Sequence, residues 1–158
     1  MFMAQRHIDS FMPPAGMCAA EMRSYEARMQ SLGDAVAFVE EYCTRTGISR
    51  ADALRLAFIV EELFTNSVTH GYGGDCHSLV QVSLRRDAGS AQLVFEDAAP
   101  EHNPLSAFRD DPASLTTTLQ LRPVGGLGMY LIGKLIGTAK YARIEGQNRV
   151  ELALPLEA

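Results

Sequence analysis

The sequence has no apolar run long enough to span a membrane. Its opening, MFMAQRHIDSFMPPAGMCAA, breaks up its apolar residues with Arg6, His7, Asp9 and two prolines. That pattern does not resemble a signal-peptide core, and residues 1–20 are expected to be an N-terminal extension, flexible in character. Cysteine is scarce: Cys18, Cys43 and Cys76 are far apart, odd in number and without a C-x-x-C. A disulfide framework is thereby disfavoured, and reduced thiols in a cytoplasmic protein are expected. The four histidines, His7, His70, His77 and His102, show no zinc-like spacing with the cysteines. Positive charge is also in deficit: 14 Lys and Arg against 19 Asp and Glu leave a net charge of -5. Direct nucleic-acid binding over a broad basic surface is not expected from such a chain. A G-x-S-x-G nucleophile motif is missing, and Cys76 and His77 are adjacent in sequence rather than arranged as nucleophile and base.

What is present is ordinary for one globular domain: 158 residues, 47% apolar and 21% charged. The seven methionines read as core filling or as part of the extension. After the extension, RSYEAR alternates, with Tyr25, Ala27 and Met29 on one face, and predicts a strand. Leu32, Val36, Val39 and Cys43 recur at helical spacing up to Gly47, predicting an amphipathic helix with a glycine stop. Ser49 and Asp52 form an S-x-x-D start signal for a second helix running to Gly71. SLVQVSLRR and AQLVFED alternate on either side of DAGS and predict a hairpin. The stretch from Ala98 to Pro123 is rich in proline, Asp and Thr and lacks periodicity; loops this long in compact domains are usually functional. A helix from about Gly126 to Gly137 precedes a last hairpin, AKYARIE and RVELAL around GQN. Hairpin-joined strands with helices stacked on them predict an α+β fold with an antiparallel sheet.

The segment VGGLGMYLIGKLIG, Val124 to Gly137, resembles two phosphate-binding devices without matching either. GMYLIGKL has Leu135 where a phosphate loop needs a Ser or Thr for Mg²⁺, and the residues between its glycines belong in a buried helix. No strand leads directly into Gly126, and the third glycine of a dinucleotide fingerprint is missing. Two readings stay open: a helix N-terminus that attracts an anion, or a glycine-rich entry to a buried helix with no ligand.

Two further clusters carry chemistry. Glu62 and Asn66, four apart on the second helix, lie about 40° from each other. The main apolar stripe, Leu56, Val60, Leu63, Phe64 and Val68, runs elsewhere, yet Phe58 and Ile59 flank Glu62. A carboxylate can accept a proton and a carboxamide oxygen is a hard ligand for Mg²⁺; a polar surface pair is the plainer alternative. Asp97 shares the parity of Leu93 and Phe95, so it points to their face, where an acid needs a partner. An amino group of a bound base would serve, and so would the next turn.

Together EELFTNSVTHGY, EDAAPEHNPL and GGLGMYLIGKL, in that order, resemble the GHKL (Bergerat-fold) ATPases, and within them the anti-sigma-factor serine kinases. The resemblance covers about Glu21 to Leu156, including a Y-x-R strand and a hairpin with Asn148. It implies one ATP-binding domain over residues 21–158, a two-layer sandwich with a mainly antiparallel mixed sheet and helices packed on one face. Glu62 is then the catalytic base and Asn66 the Mg²⁺ ligand against the phosphates of ATP. Asp97 accepts from the adenine amino group, and Ala99 stands where the family normally has glycine. His102 stands where it has an aromatic. Gly126, Leu127, Gly128 and Met129 fall in the phosphate-covering segment, the lid spans about 98–124, and Arg122 and His70 are further cofactor contacts. A helix-end histidine held by hydrogen bonds is the alternative for His70.

The function implied is that of an anti-sigma regulatory factor: an ATP-dependent protein-serine kinase that sequesters a sigma factor and phosphorylates an anti-anti-sigma (STAS-type) antagonist. A homodimer is also implied. The alternative is a non-catalytic, nucleotide-gated module that holds a protein partner. Sensor histidine kinases carry a phospho-accepting helical hairpin upstream, for which the residues before Glu21 are too few.

Overall fold

A computed structural model describes residues 18–109 and 126–157. The chain runs β1 (Glu21–Glu26), α1 (Leu32–Thr46), α2 (Arg50–Asn66), β2 (Leu79–Arg86), β3 (Ser90–Asp97), α3 (Gly126–Leu135), β4 (Thr138–Ile144) and β5 (Gln147–Pro155). The strands form one sheet in the order β1-β2-β3-β5-β4, and every pairing among the described residues is antiparallel. This is an α+β fold.

One sheet face carries the core. β3 alternates half-buried and buried along its whole length. Its inward residues Ala91, Leu93 and Phe95 meet Val80, Val82 and Leu84 of β2 and Val150, Leu152 and Leu154 of β5. The helices lie on that face: Phe38, Val39 and Tyr42 of α1, Leu56, Val60, Leu63 and Phe64 of α2, and Met129 and Ile132 of α3 join the same cluster. Each large apolar side chain removed from water there contributes about 1.5–3 kcal/mol.

The expected helix boundaries follow local chemistry. Gly47 ends α1 at φ 72°, a left-handed conformation that glycine adopts without penalty. Ser49 caps α2 by accepting from the Asp52 backbone N–H at 3.1 Å. The α2 stripe expected from the sequence is buried throughout, Val68 included.

Three elements differ from expectation. β1 begins at Glu21 and stops at Glu26, so Met29 opens a 3-10 turn instead of continuing the strand. α2 does not continue as α-helix to Gly71: Ser67–Gly71 form a π-helical turn. The Ala98–Pro123 stretch contains a 3-10 turn at Pro104–Arg109. Asn103 starts that turn: its side-chain oxygen accepts from the Leu105 N–H at 2.9 Å, and Pro104 supplies a pre-set φ. The turn packs against α3.

Candidate functional site

α2 and its π-helical end carry the polar groups, because their inward stripe leaves one flank facing α3 and the end of β3. Glu62 and Asn66 are both half-buried. Burial raises the Glu62 pKa above the ordinary carboxylate value, and the neighbouring charge of Glu61 adds to the rise.

The opening turn of α3 meets this carboxylate. Gly126, Leu127, Gly128 and Met129 form that turn, the stretch of a helix whose N–H groups lack partners within the helix. A Cβ on Gly128 would fall on the Glu62 carboxylate, with Oε1 2.8 Å away. Only a glycine lets the two elements approach this closely. Met129 points into the core, whereas Leu127 is exposed; neither side chain offers polar chemistry, so any contact from these two residues to an anion falls to the backbone.

At the other end of the flank, Asp97 closes β3 in a buried network. Its Oδ1 accepts from the Asn148 side-chain amide at 2.8 Å and from the Ala99 N–H at 3.1 Å. Its Oδ2 accepts from the Ser67 hydroxyl at 2.7 Å. Asp97 therefore both caps the following turn and reaches across to the helix layer. Ser67 is placed by the last α-helical turn, its N–H bonded to the carbonyls of Leu63 and Phe64. From Glu62 to Ser67 the helix rises about 7.5 Å and turns through about 140°, so Ser67 extends the buried stripe of Val60, Leu63 and Phe64 while Glu62 lies to one side of it.

The Ala99 methyl is fully buried. It is directed at Gly71, where an added Cβ would lie 3.1 Å from it. The hollow beside Asp97 is lined instead by Leu63, Phe95, Asp97, His102, Pro104, Asn148 and Val150. Alanine in place of the family's glycine thus does not intrude on that hollow. His102 lines it and packs over Gly71. The hollow has a volume of about 10 Å³, room for roughly one water molecule. A base enters only if the arm bearing His102 and Pro104 draws back. A larger hollow of about 390 Å³ lies on the helix-free face of the sheet, among Ser83, Arg85, Gln92, Arg149 and Glu151, apart from the groups just described.

His70 is exposed at the end of the π-helical turn, where the wider helical repeat shifts its direction relative to Asn66. Arg122 lies outside the described residues. Among the described residues, no group of three or more His, Cys, Asp or Glu could hold a metal ion. A cation here would take one protein oxygen, that of Asn66, and depend on oxygens brought by its ligand, which is how Mg²⁺ commonly binds beside phosphates. The site residues that the sequence left unassigned are Ser67, Tyr141, Arg143 and Asn148.

The family profile described as histidine kinase-like ATPase domain matches residues 25–154. Among solved structures, the crystal structure of the RsbU and RsbW domains of Rv1364c from Mycobacterium tuberculosis is similar in fold. Its TM-score is 0.59 at 16% sequence identity, over 88% of this chain and 33% of that one. This chain thus spans about a third of that structure's length. Among curated proteins, none matches.

Proposed function

This chain belongs to the histidine kinase-like ATPase domain family, and on that footing we propose that it is an anti-sigma regulatory factor with protein-serine kinase activity. It binds ATP with Mg²⁺, holds a sigma factor, and transfers the γ-phosphoryl group to a serine of a STAS-type antagonist. The observation that carries this reading is the contact between Glu62 and Gly128. It sets a carboxylate beside the opening turn of α3, whose N–H groups lack partners within the helix, and this supports a base next to a transferring phosphoryl group. The resemblance to anti-sigma serine kinases supplies the partner class.

In this reading the nucleobase lies toward Asp97, whose side-chain oxygens, acceptors throughout the network, favour a purine with an amino group over one with a carbonyl. The opening turn of α3 faces the phosphates. Asn66 would supply an oxygen to Mg²⁺, which offsets charge on the phosphates. Phosphoryl transfer then depends mainly on positioning. Glu62 takes the proton from the attacking serine hydroxyl, and its raised pKa makes it a stronger base than a solvated carboxylate. The lid at about 98–124 covers the nucleotide, and its first part is the arm that must yield to admit the base.

The test is calorimetry with Mg·ATP and Mg·ADP, followed by transfer of labelled γ-phosphate to a STAS-type protein. Binding and transfer by the wild type, with binding but no transfer by Glu62→Ala, supports the kinase. Equal transfer by the variant removes Glu62 from its role. The near-closed hollow at Asp97 keeps a second reading in view, the nucleotide-gated binding module. Tight binding without transfer under any partner condition selects it.

A further inference from the structure

We propose that the β4–β5 hairpin acts as a clamp on the base-recognition turn, and that Asn148 is the positioning residue that orients Asp97. This rests on the nucleotide-binding reading above and assigns a role to the Y-x-R strand and the Asn of the last hairpin, which that reading leaves without one. The β3–β5 register places Asn148 directly opposite Asp97. Both are almost wholly buried, at 2% and 3% exposure.

The orientation of the Asn148 amide is dictated by its neighbours. Its Oδ1 accepts from the Tyr141 hydroxyl at 2.7 Å and from the His102 backbone N–H at 3.2 Å. A backbone N–H can only donate, so the oxygen must face it and the NH₂ must face the other way. There it meets Asp97 Oδ1 at 2.8 Å, with the carbonyls of Ala99 and Pro100 each at 3.1 Å and His102 Nδ1 at 3.3 Å. Arg143 adds a second grip, donating to the Ala99 carbonyl at 2.7 Å. Tyr141, Arg143 and Asn148, all from one hairpin, therefore hold the turn from Asp97 to His102.

The effect on Asp97 follows from counting. A carboxylate has about four acceptor sites. Asn148 and the Ala99 N–H both bond to Oδ1, which leaves Oδ2, holding only the Ser67 hydroxyl, with capacity for a further donor. Asn148 does not need to touch a base. It fixes which oxygen remains available to one, and so it sets the preference for an amino-bearing base. Tyr141 acts through Asn148 by holding the amide in that orientation.

The experiment uses the full chain and a pair of ligands that differ at the recognised group, Mg·ADP and Mg·IDP, the latter with a carbonyl in place of the amine. Dissociation constants are measured by calorimetry for wild type, Asn148→Ala and Tyr141→Phe. The wild type is expected to prefer ADP. In Asn148→Ala that preference falls about tenfold, the equivalent of one charge-assisted hydrogen bond, through loss of ADP affinity at nearly constant IDP affinity. In Tyr141→Phe it falls about threefold in the same direction. Parallel loss of both ligands would mean general damage to the fold and would overturn the clamp, as would unchanged preference in both variants. If Asn148→Ala does not fold, Tyr141→Phe decides alone, since it removes one hydroxyl from a half-buried ring. A wild type that binds neither ligand refutes the nucleotide site itself.

Discussion

The pairing of Gly71 with Ala99 lends itself to a quantitative test. A Cβ built on Gly71 would lie 3.1 Å from the Ala99 methyl and 3.1 Å from His102 Cε1, tighter than ordinary van der Waals contact. The φ of Gly71 is not among the positive values, so alanine is not strained by its backbone there. It gains about 0.4–1 kcal/mol from a less flexible unfolded chain. Overpacking in a filled interior costs about 1–3 kcal/mol, so Gly71→Ala should be destabilised by about 1–2 kcal/mol. For a chain of this length that corresponds to a melting-temperature drop of roughly 2–8 °C. Ala99→Gly loses one buried methyl, about 0.8 kcal/mol, and adds unfolded-state freedom, for a total of about 1–2 kcal/mol. In the double variant the new methyl enters the space that the old one left. The two changes should then cost less together than their sum by about 1 kcal/mol, His102 keeping the relief partial. Urea denaturation of the four proteins measures this coupling. Additivity within about 0.3–0.5 kcal/mol, the limit for independent sites, would refute the contact. Because the Ala99 methyl is absent from the lining of the Asp97 hollow, Ala99→Gly should also leave Mg·ADP affinity within about twofold, which calorimetry checks.

Other perturbations have equally definite outcomes. Gly128→Ala puts a methyl on the Glu62 carboxylate and should lower phosphoryl transfer about a hundredfold or more, since displacements near 1 Å have effects of that size; steady-state transfer assays measure it. Glu62 has a folded-state pKa above its ordinary value, so it favours the folded chain below the unfolded value and loses that contribution as pH rises through the folded one. Glu62→Gln should therefore become more stable than wild type as pH rises through the carboxylate range, while the wild-type transfer rate gains an acid limb displaced above that of a free glutamate; denaturation and rate profiles against pH report both. Buried Asp52 accepts from the Ser49 hydroxyl, from Arg55 and from the Glu157 N–H, so Asp52→Ala, which strips the acceptor from these donors, should cost about 1–3 kcal/mol and lower the urea midpoint. Burial raises the Cys43 thiol pKa to about 11, and native protein at pH 8 should show no Cys43 labelling by iodoacetamide in a mass spectrum, with labelling appearing only on unfolding.

Much of this arrangement was legible because it rests on local periodicity. The alternation of AQLVFED specified both β3 and the inward direction of Asp97, and the spacing of Leu56, Val60, Leu63 and Phe64 specified the buried side of α2 and hence the flank left to Glu62 and Asn66. What could not be read depends on register or on contacts between elements. Asn148 matters because β5 lies between β3 and β4 and sets it opposite Asp97, a relation between residues 51 positions apart. Ser67 follows Leu63 and Phe64 at helical spacing, but its bond to Asp97 joins two elements 30 positions apart, which hydrophobic spacing does not reveal. The nearness of Gly128 to Glu62 is a tertiary contact between two helices; the sequence offered only the glycine that permits it.

Ile136 and Gly137 alone separate α3 from β4, and Gly137 is pinned to Ala153 of β5 by a 2.8 Å N–H···O bond. The helix that abuts Glu62 and the hairpin that grips the Asp97 turn are therefore joined by a two-residue connection anchored to β5. The two ends of the cleft are thus carried by one unbroken stretch of 23 residues, 126–148, to which α1 and β1 contribute nothing.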